Sequence, residues 1–294
     1  MPISYQIVAG KNYAPLLDEI YKQESLTSVL DGNPELVKEG QNPGELVIGK
    51  LVMQGQAAYN RSAGYVGGNV NLQWETIAAD YDRGRKFNID AVDNMDSFNL
   101  VLGNISRAYL REKVGPEIDA YRIAKYASTS GIGGTTGTLS TGADVLAALR
   151  AGVSAMDEAE VPTDDRVLLI TPTLLGLVQD LDTTKSREVL DGFAAIQKVP
   201  QTRMYTAIDL YDGTSSGETD GGYVKDSTDG LDINFMIVSR SALVQFPKHV
   251  APKIVSPEMN NDADAWIFGY RLCAVAKILE NKLAGVYCHH KAAA

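Results

Sequence analysis

Four stretches of this 294-residue chain carry residue types at spacings that chemistry can use. Gly213-Thr214-Ser215-Ser216-Gly217 matches the nucleophile-elbow pattern GxSxG, in which a strained strand-to-helix turn exposes a serine for acyl transfer. Residues 131–137, GIGGTTG, resemble the glycine fingerprint that cradles a dinucleotide pyrophosphate. Asp262-Ala263-Asp264 and the tandem His289-His290 offer oxygen and nitrogen donors to a metal.

Each pattern lacks the element that would position it. Ser215 sits inside the polar loop DGTSSGETDGGYVKDSTDG with no helix to follow, and neither His249, His289 nor His290 has a supporting context. A hydrolase using Ser215 is therefore the weakest alternative carried forward. The glycine fingerprint requires glycine where Thr136 stands, and it follows a helix rather than a strand, so no helix N-terminus is set up for a phosphate. A linker is expected there. Adjacent histidines in a strand point to opposite faces and do not readily share one ion. Cys273 and Cys288 lie in apolar, strand-like sequence, are too few for a disulfide framework, and are expected to be buried thiols. The expectation is a protein that is no enzyme and holds no cofactor or metal.

Composition narrows the class further. With 45% hydrophobic and 22% charged residues, the chain can bury a real core as one elaborate domain or two joined lobes. No apolar run reaches the roughly 18 to 20 residues needed to span a bilayer, and MPISYQIVAGKNY lacks a signal peptide's regions, so a soluble protein made in the cytosol is expected. The 37 acids outnumber 27 bases, for a net charge of −10. Gripping DNA needs clustered cations, whereas merely surrounding it does not.

Hydrophobic periodicity places the elements. A short amphipathic helix is expected over residues 14–23, followed by the breaker-rich DGNPELVKEGQNPGE, so the first 45 residues suit an extended arm. ELVIGKLVMQGQAAYN and LQWETIAADYDRGRKFNID are strand-like and flank a glycine-rich tip of about fifteen residues, longer than an ordinary hairpin turn. A two-stranded ribbon is marginal alone and is expected to pack on another chain. A helix capped by Asp96 or Ser97 runs through Phe98, Val101, Leu102, Ile105, Ala108 and Tyr109, with a kink or interruption at Gly115-Pro116 and a second run to Lys125. Residues 128–142 form a loop. A helix over 143–159, strands at 166–170, 195–199 and 233–238, a helix from Pro172, and a terminal long strand, turn and short strand complete an α+β order.

Residues 74–90, WETIAADYDRGRKFNID, concentrate Glu75, Asp82, Arg83, Arg85 and Lys86 among aromatics. In one extended strand these charges fall on both faces, so neither is a plain core face. The bland alternative is a solvated edge strand whose charges discourage accidental pairing. The functional one is a ribbon whose charges pair with adjacent subunits. An exposed pair is worth at most about 1 kcal/mol, enough to fix register when repeated over a shell.

LQWETIAADYDRGRKFNIDAVDNMDSF, then LREKVGPEIDAYRIAKYAS, then INFMIVSRSALVQFPKHVAPKIVSPEMNNDADAWIFGYRLCAVAKILENKLAGVYCHH resemble, in that order, the major capsid proteins of tailed bacteriophages with the Hong Kong ninety-seven fold. The resemblance implies an arm over residues 1–45, an extended loop over 46–92 with its tip at Gly55–Val70, a peripheral domain over 93–139 and 251–294 with a long spine helix, and an axial domain over 140–250. It implies self-assembly into hexamers and pentamers of an icosahedral head around double-stranded DNA, with scaffolding, portal and decoration proteins as separate partners and no membrane. Implied inter-subunit contacts are Gly55, Tyr59, Arg61, Tyr65, Glu75, Asp82, Arg83, Arg85 and Lys86. Many relatives carry a long scaffolding segment ahead of the arm; its absence from this sequence implies separate scaffolding or none. No lysine–asparagine cross-link trio is identified. A bacterial nanocompartment shell of the same fold is the runner-up, and a tail-tube protein fits poorly.

Overall fold

The computed structural model describes residues 25–32, 38–39, 45–62, 64–96, 105, 107–181 and 183–292. The expected helix at 14–23 lies outside them. A 3-10 turn, Thr27–Leu30, opens the described chain and buries Leu30 in the core. Strand β1 (Lys38–Glu39) pairs antiparallel with β2 (Glu45–Met53), which pairs with β3 (Val70–Ala78) to form a long ribbon. The strand-like sequence after the tip is not one strand. It breaks at Ala79-Asp80, and β4 (Tyr81–Asp90) joins a different sheet.

Helix α1 (Ala91–Asp96) begins earlier than the sequence suggests. The Asp90 carboxylate accepts from the Val92 and Asp93 N–H groups at 2.9 and 3.4 Å, so Asp90 caps the helix and Asp96, an expected cap, lies within it. Ser97, Phe98, Val101 and Leu102 lie outside the described residues. A π turn at Leu110–Val114 leads directly into α2 (Gly115–Ala127). Gly115 keeps helical angles (φ −57°, ψ −52°), and the helix is interrupted by the widened turn just ahead of Pro116, whose ring and missing N–H that turn accommodates.

The next elements are β5 (Gly133–Thr136), α3 (Gly142–Glu158), β6 (Arg166–Ile170), α4 (Pro172–Asp180), α5 (Thr184–Asp191) and β7 (Ala195–Lys198). They are followed by β8 (Ile208–Leu210), β9 (Tyr223–Lys225), β10 (Ile233–Ser239), β11 (Leu243–Val255), β12 (Ala265–Ile278) and β13 (Val286–His290). One five-stranded mixed sheet has the order β5-β13-β10-β6-β7. Its central strands β6 and β10 are buried at every residue, which explains their unbroken apolar runs. Leu168, Ile170, Phe235 and Ile237 face Val145 and Leu149 of α3 and Leu175 and Val178 of α4. Val167, Leu169, Met236 and Val238 face Ile123 and Tyr126 of α2 on the other side.

A second sheet, β11-β12-β4, carries the long antiparallel β11–β12 pair. The strand β11 was not anticipated; its Pro247 and Pro252 are tolerated because β11 lies at the sheet edge, with a bulge between Pro247 and His249. One further expectation is corrected. Residues 128–142 are not all loop: β5 runs parallel to β13, and a Cβ on Gly134 would approach the Cys288 carbonyl oxygen to 2.8 Å, so the glycines permit the strand. The final strand β13 pairs with β10 and β5, so the two terminal strands β12 and β13 lie in different sheets.

Candidate inter-subunit surface

The ribbon has two unlike faces. In its register Leu46 opposes Ile77 and Ile48 opposes Glu75, while Gly49 opposes Trp74, Leu51 opposes Leu72 and Met53 opposes Val70. Opposed residues share a face, so these two sets lie on opposite sides. Leu46 and Ile77 are buried against Val244, Phe246 and Val275, fastening the base of the ribbon to the second sheet. Beside them the buried Glu75 places Oε1 2.9 Å from Lys277 Nζ, an ion pair whose geometry falls short of a hydrogen bond. Farther out, Leu51, Met53, Val70, Leu72 and Trp74 are each more than half exposed, from 53% for Leu72 to 67% for Val70. Gly49 leaves room for Trp74 to lie across the ribbon, with ring atoms 3.5 Å from where a Cβ would be. The outer face is thus a continuous apolar stripe that none of the described residues covers.

The tip is shaped rather than slack. Asn60 and Gly64 exchange backbone hydrogen bonds at 3.2 and 2.7 Å, and the Asn60 side-chain oxygen accepts from the Ser62 N–H at 2.8 Å. Gly64 adopts φ +82°, which closes this small turn. Tyr59 and Tyr65 pack edge to face at 5.0 Å, with Tyr65 91% exposed. Gly55 and Arg61 are exposed, and Arg61 is the one charged residue from Gln54 to Asn69.

The charges of β4 find partners within their own chain. Asp82 accepts from Arg271 Nε and Nη2 at 2.8 and 2.5 Å, and this pairing holds its carboxyl below the usual carboxylate range. Arg83 donates to Glu117 at 2.6 Å and to the Tyr211 carbonyl at 2.8 Å. Arg85 donates to the carbonyls of Asp220 and Thr219 at 2.7 and 2.8 Å. Glu75 is taken by Lys277. Glu75 of β3 and Asp82, Arg83 and Arg85 of the edge strand β4 therefore have partners within their own chain, while Lys86 is exposed. Burial, then Glu117, pushes the Tyr81 phenol far above its ordinary range, so it remains a hydrogen-bond donor to that carboxylate at 2.9 Å.

The chemical candidates are not brought together. The Ser215 hydroxyl donates to Asp212 at 2.5 Å, and the Ser215 and Thr214 N–H groups donate to the same carboxylate, making a closed polar turn. No histidine is among the partners of Ser215. His289 is buried, stacked on Phe235 at 5.2 Å and bonded to Asn234 at 2.9 Å. Among the described residues, no three His, Cys, Asp or Glu side chains converge as metal ligands. Burial pushes the Cys288 thiol up to about 12 and raises Cys273 as well.

Sequence reasoning missed one site outright. Asp119 on α2 is fully buried and accepts from Ser25 Oγ, Leu26 N, Thr27 N, Thr27 Oγ1 and Arg203 Nη1 at 2.7 to 3.1 Å. Around it, Arg122 reaches Thr27 and Asp31, and Gln245 donates to the Thr27 carbonyl and to Asp31. Residues 25–31 of the expected arm are thereby locked to α2, β11 and the turn after β7. An acid among Ile118, Ala120 and Ile123 was the available signal.

The chain matches no protein-family model and no curated sequence relative. Solved structures do match it over nearly its whole length. A structure from Mycobacterium phage Bobi superposes with a TM-score of 0.64 at 12% identity, covering 97% of this chain and 96% of that one. The capsid of cyanophage P-SCSP1u gives 0.62 at 15% identity over 97% and 93%. The virus-like particle from Pyrococcus furiosus gives 0.51 at 13% identity over 90% and 97%. The chain has the α+β fold of tailed-phage major capsid proteins, the Hong Kong ninety-seven fold.

Proposed function

We propose that this chain is the major capsid protein of a tailed phage, assembling into the hexamers and pentamers of an icosahedral head around double-stranded DNA. One observation carries the proposal: a ribbon whose outer face is apolar from Trp74 to Met53 and is covered by none of the described residues. Burying five large side chains that are half exposed contributes on the order of 4–7 kcal/mol per copy before the cost of association. A shell supplies that cover from a neighbouring copy, and contacts that are modest singly become stable in many copies. The net charge of −10 suits a wall that encloses DNA without gripping it. In this assignment residues 46–92 are the extended loop, α2 lies on the spine of the peripheral domain, and residues 140–250 form the axial domain. Scaffolding, portal and decoration proteins are its separate partners, and its place is the virion.

The Pyrococcus furiosus virus-like particle supports a second reading, a nanocompartment shell of the same fold that encloses protein cargo. Nucleic acid extracted from purified particles supports the phage head, and a co-purifying enzyme the compartment. Deleting residues 55–70 tests what both share. The subunit is expected to stay folded and soluble, and to form no closed shells by electron microscopy. Normal particles from this deletion would refute the role of the ribbon.

A further inference from the structure

We propose that the face of the β11-β12-β4 sheet turned away from α2, around Gly269, is a contact surface for the phosphate backbone of double-stranded DNA. The inference goes beyond the shell reading above, in which a wall merely surrounds DNA, and its test uses the unassembled chain, so the two can fail separately. Tyr81 of β4 and Leu272 and Ala274 of β12 pack against Ile118 of α2. The alternate residues of these strands therefore turn to the other face. There the register sets Lys253, Gly269 and Lys86 in one row across the three strands, and Ala251, Arg271 and Gly84 in the next. Positions two strands apart in a row stand about 10 Å from each other, and successive rows on one face about 7 Å. Arg271 thus completes a triangle with the two lysines, with a glycine between them.

Lys86 and Lys253 are exposed and have no hydrogen bond or ion pair with any described residue. Arg271, its side chain 61% exposed, gives Nε and Nη2 to Asp82 in the row beyond, which leaves Nη1 unbound among the described residues. Asp90, at the far end of β4, is engaged in capping α1. The patch is therefore cationic in a chain whose net charge is −10, and what it can hold is an anion. Its relief decides which anion. Gly84, Ala251 and Gly269 are small, and a Cβ at Gly269 would meet only Lys253 atoms, at 3.8 and 3.9 Å, so nothing stands above the sheet between the cations. Protein partners draw their affinity from aromatic anchors in closely packed pockets, and these rows carry no aromatic side chain. A duplex presents a dense row of phosphates instead, and binds point charges on a flat surface through the counterions it releases. A few phosphates per copy make a contact that salt weakens readily and that counts only in many copies. Lys86, Lys253 and Arg271 are distant in the chain, so only the register of three strands makes the cluster.

The test measures binding of a short fluorescent DNA duplex by the full-length chain, at concentrations too low for assembly and over a range of salt. Each phosphate neutralised contributes about −0.9 to the slope of log K against log salt, so Lys86→Gln with Lys253→Gln is expected to flatten that slope by about 2. Lys86→Arg with Lys253→Arg is expected to preserve it. Lys185→Gln with Lys198→Gln removes the same charge from exposed positions on α5 and β7 and is expected to leave it unchanged. The melting temperature is expected to stay the same in all three pairs. No binding at low salt, a slope that Lys86→Gln with Lys253→Gln does not alter, or equal flattening by the α5 and β7 pair overturns the surface. Tighter binding of poly-glutamate than of the duplex, lost in the same Lys86 and Lys253 pair, assigns the face to an acidic polypeptide and overturns the phosphate contact. The shell reading is decided separately, by the particles that the deletion of residues 55–70 does or does not form.

Discussion

Replacing Asp119 with Asn tests whether the buried polar node is structural in the way its geometry says. The carboxylate is fully buried, takes five hydrogen bonds, and neutralises Arg203, itself 3% exposed, at 2.8 Å. Asparagine keeps the shape, but its amide nitrogen faces donors and the guanidinium loses the charge of this carboxylate. Breaking a buried ion pair by removing one partner's charge costs about 3–5 kcal/mol. For a chain of this size each kcal/mol moves the melting temperature by roughly 2–4 °C, so a fall of roughly 6–20 °C is expected. Denaturant titration gives the free energy, and hydrogen exchange is expected to accelerate first in residues 25–31, which donate four of the five bonds. Asp119→Asn combined with Arg203→Met is expected to cost less than the sum of the single changes, because it removes both charges. A loss below about 1 kcal/mol with unchanged protection at 25–31 would refute the assignment.

Three further outcomes follow from the same structure. Lys277→Met leaves the buried Glu75 without its cation and is expected to destabilise the subunit by about 1–3 kcal/mol, with exchange rising at residues 45–48 and 75–78. Leu51→Gln with Leu72→Gln alters only the exposed face of the ribbon, so sedimentation is expected to show loss of shells while denaturation shows a subunit unchanged within about 0.5 kcal/mol. Because the Cys288 thiol rises from 9.0 to about 12 on folding, its contribution is fully present below pH 9 and fades as pH climbs toward 12. Iodoacetamide at pH 8 is accordingly expected to label Cys273, which is only half-buried, well before Cys288.

The candidate surface was partly legible. A long glycine-rich tip between strand-like segments has nowhere to hide in a two-stranded ribbon, so Gly55, Tyr59, Arg61 and Tyr65 stand out in the sequence, and all four are exposed. The partners of the neighbouring charges were not legible, since those of Asp82, Arg83 and Arg85 lie 34 to 189 residues away. The apolar outer face was also hidden, because it depends on which residues of β2 oppose which of β3.

By itself, the amino-acid order determined the α+β class, the helix over residues 143–159, the buried strands β6 and β10, and the strand–turn–strand ending of the chain. Apolar periodicity and glycine or proline breakers are local signals, and they act before any partner is chosen. Tertiary structure decided what the order leaves open: that β13 closes the five-stranded sheet, that a strand with two prolines is tolerated as the edge β11, that β4 leaves the ribbon, and that Asp119 gathers the segment ahead of the ribbon onto α2. The partner of a strand edge or a buried charge is set by which surfaces must leave water together, and that is a property of the folded chain as a whole.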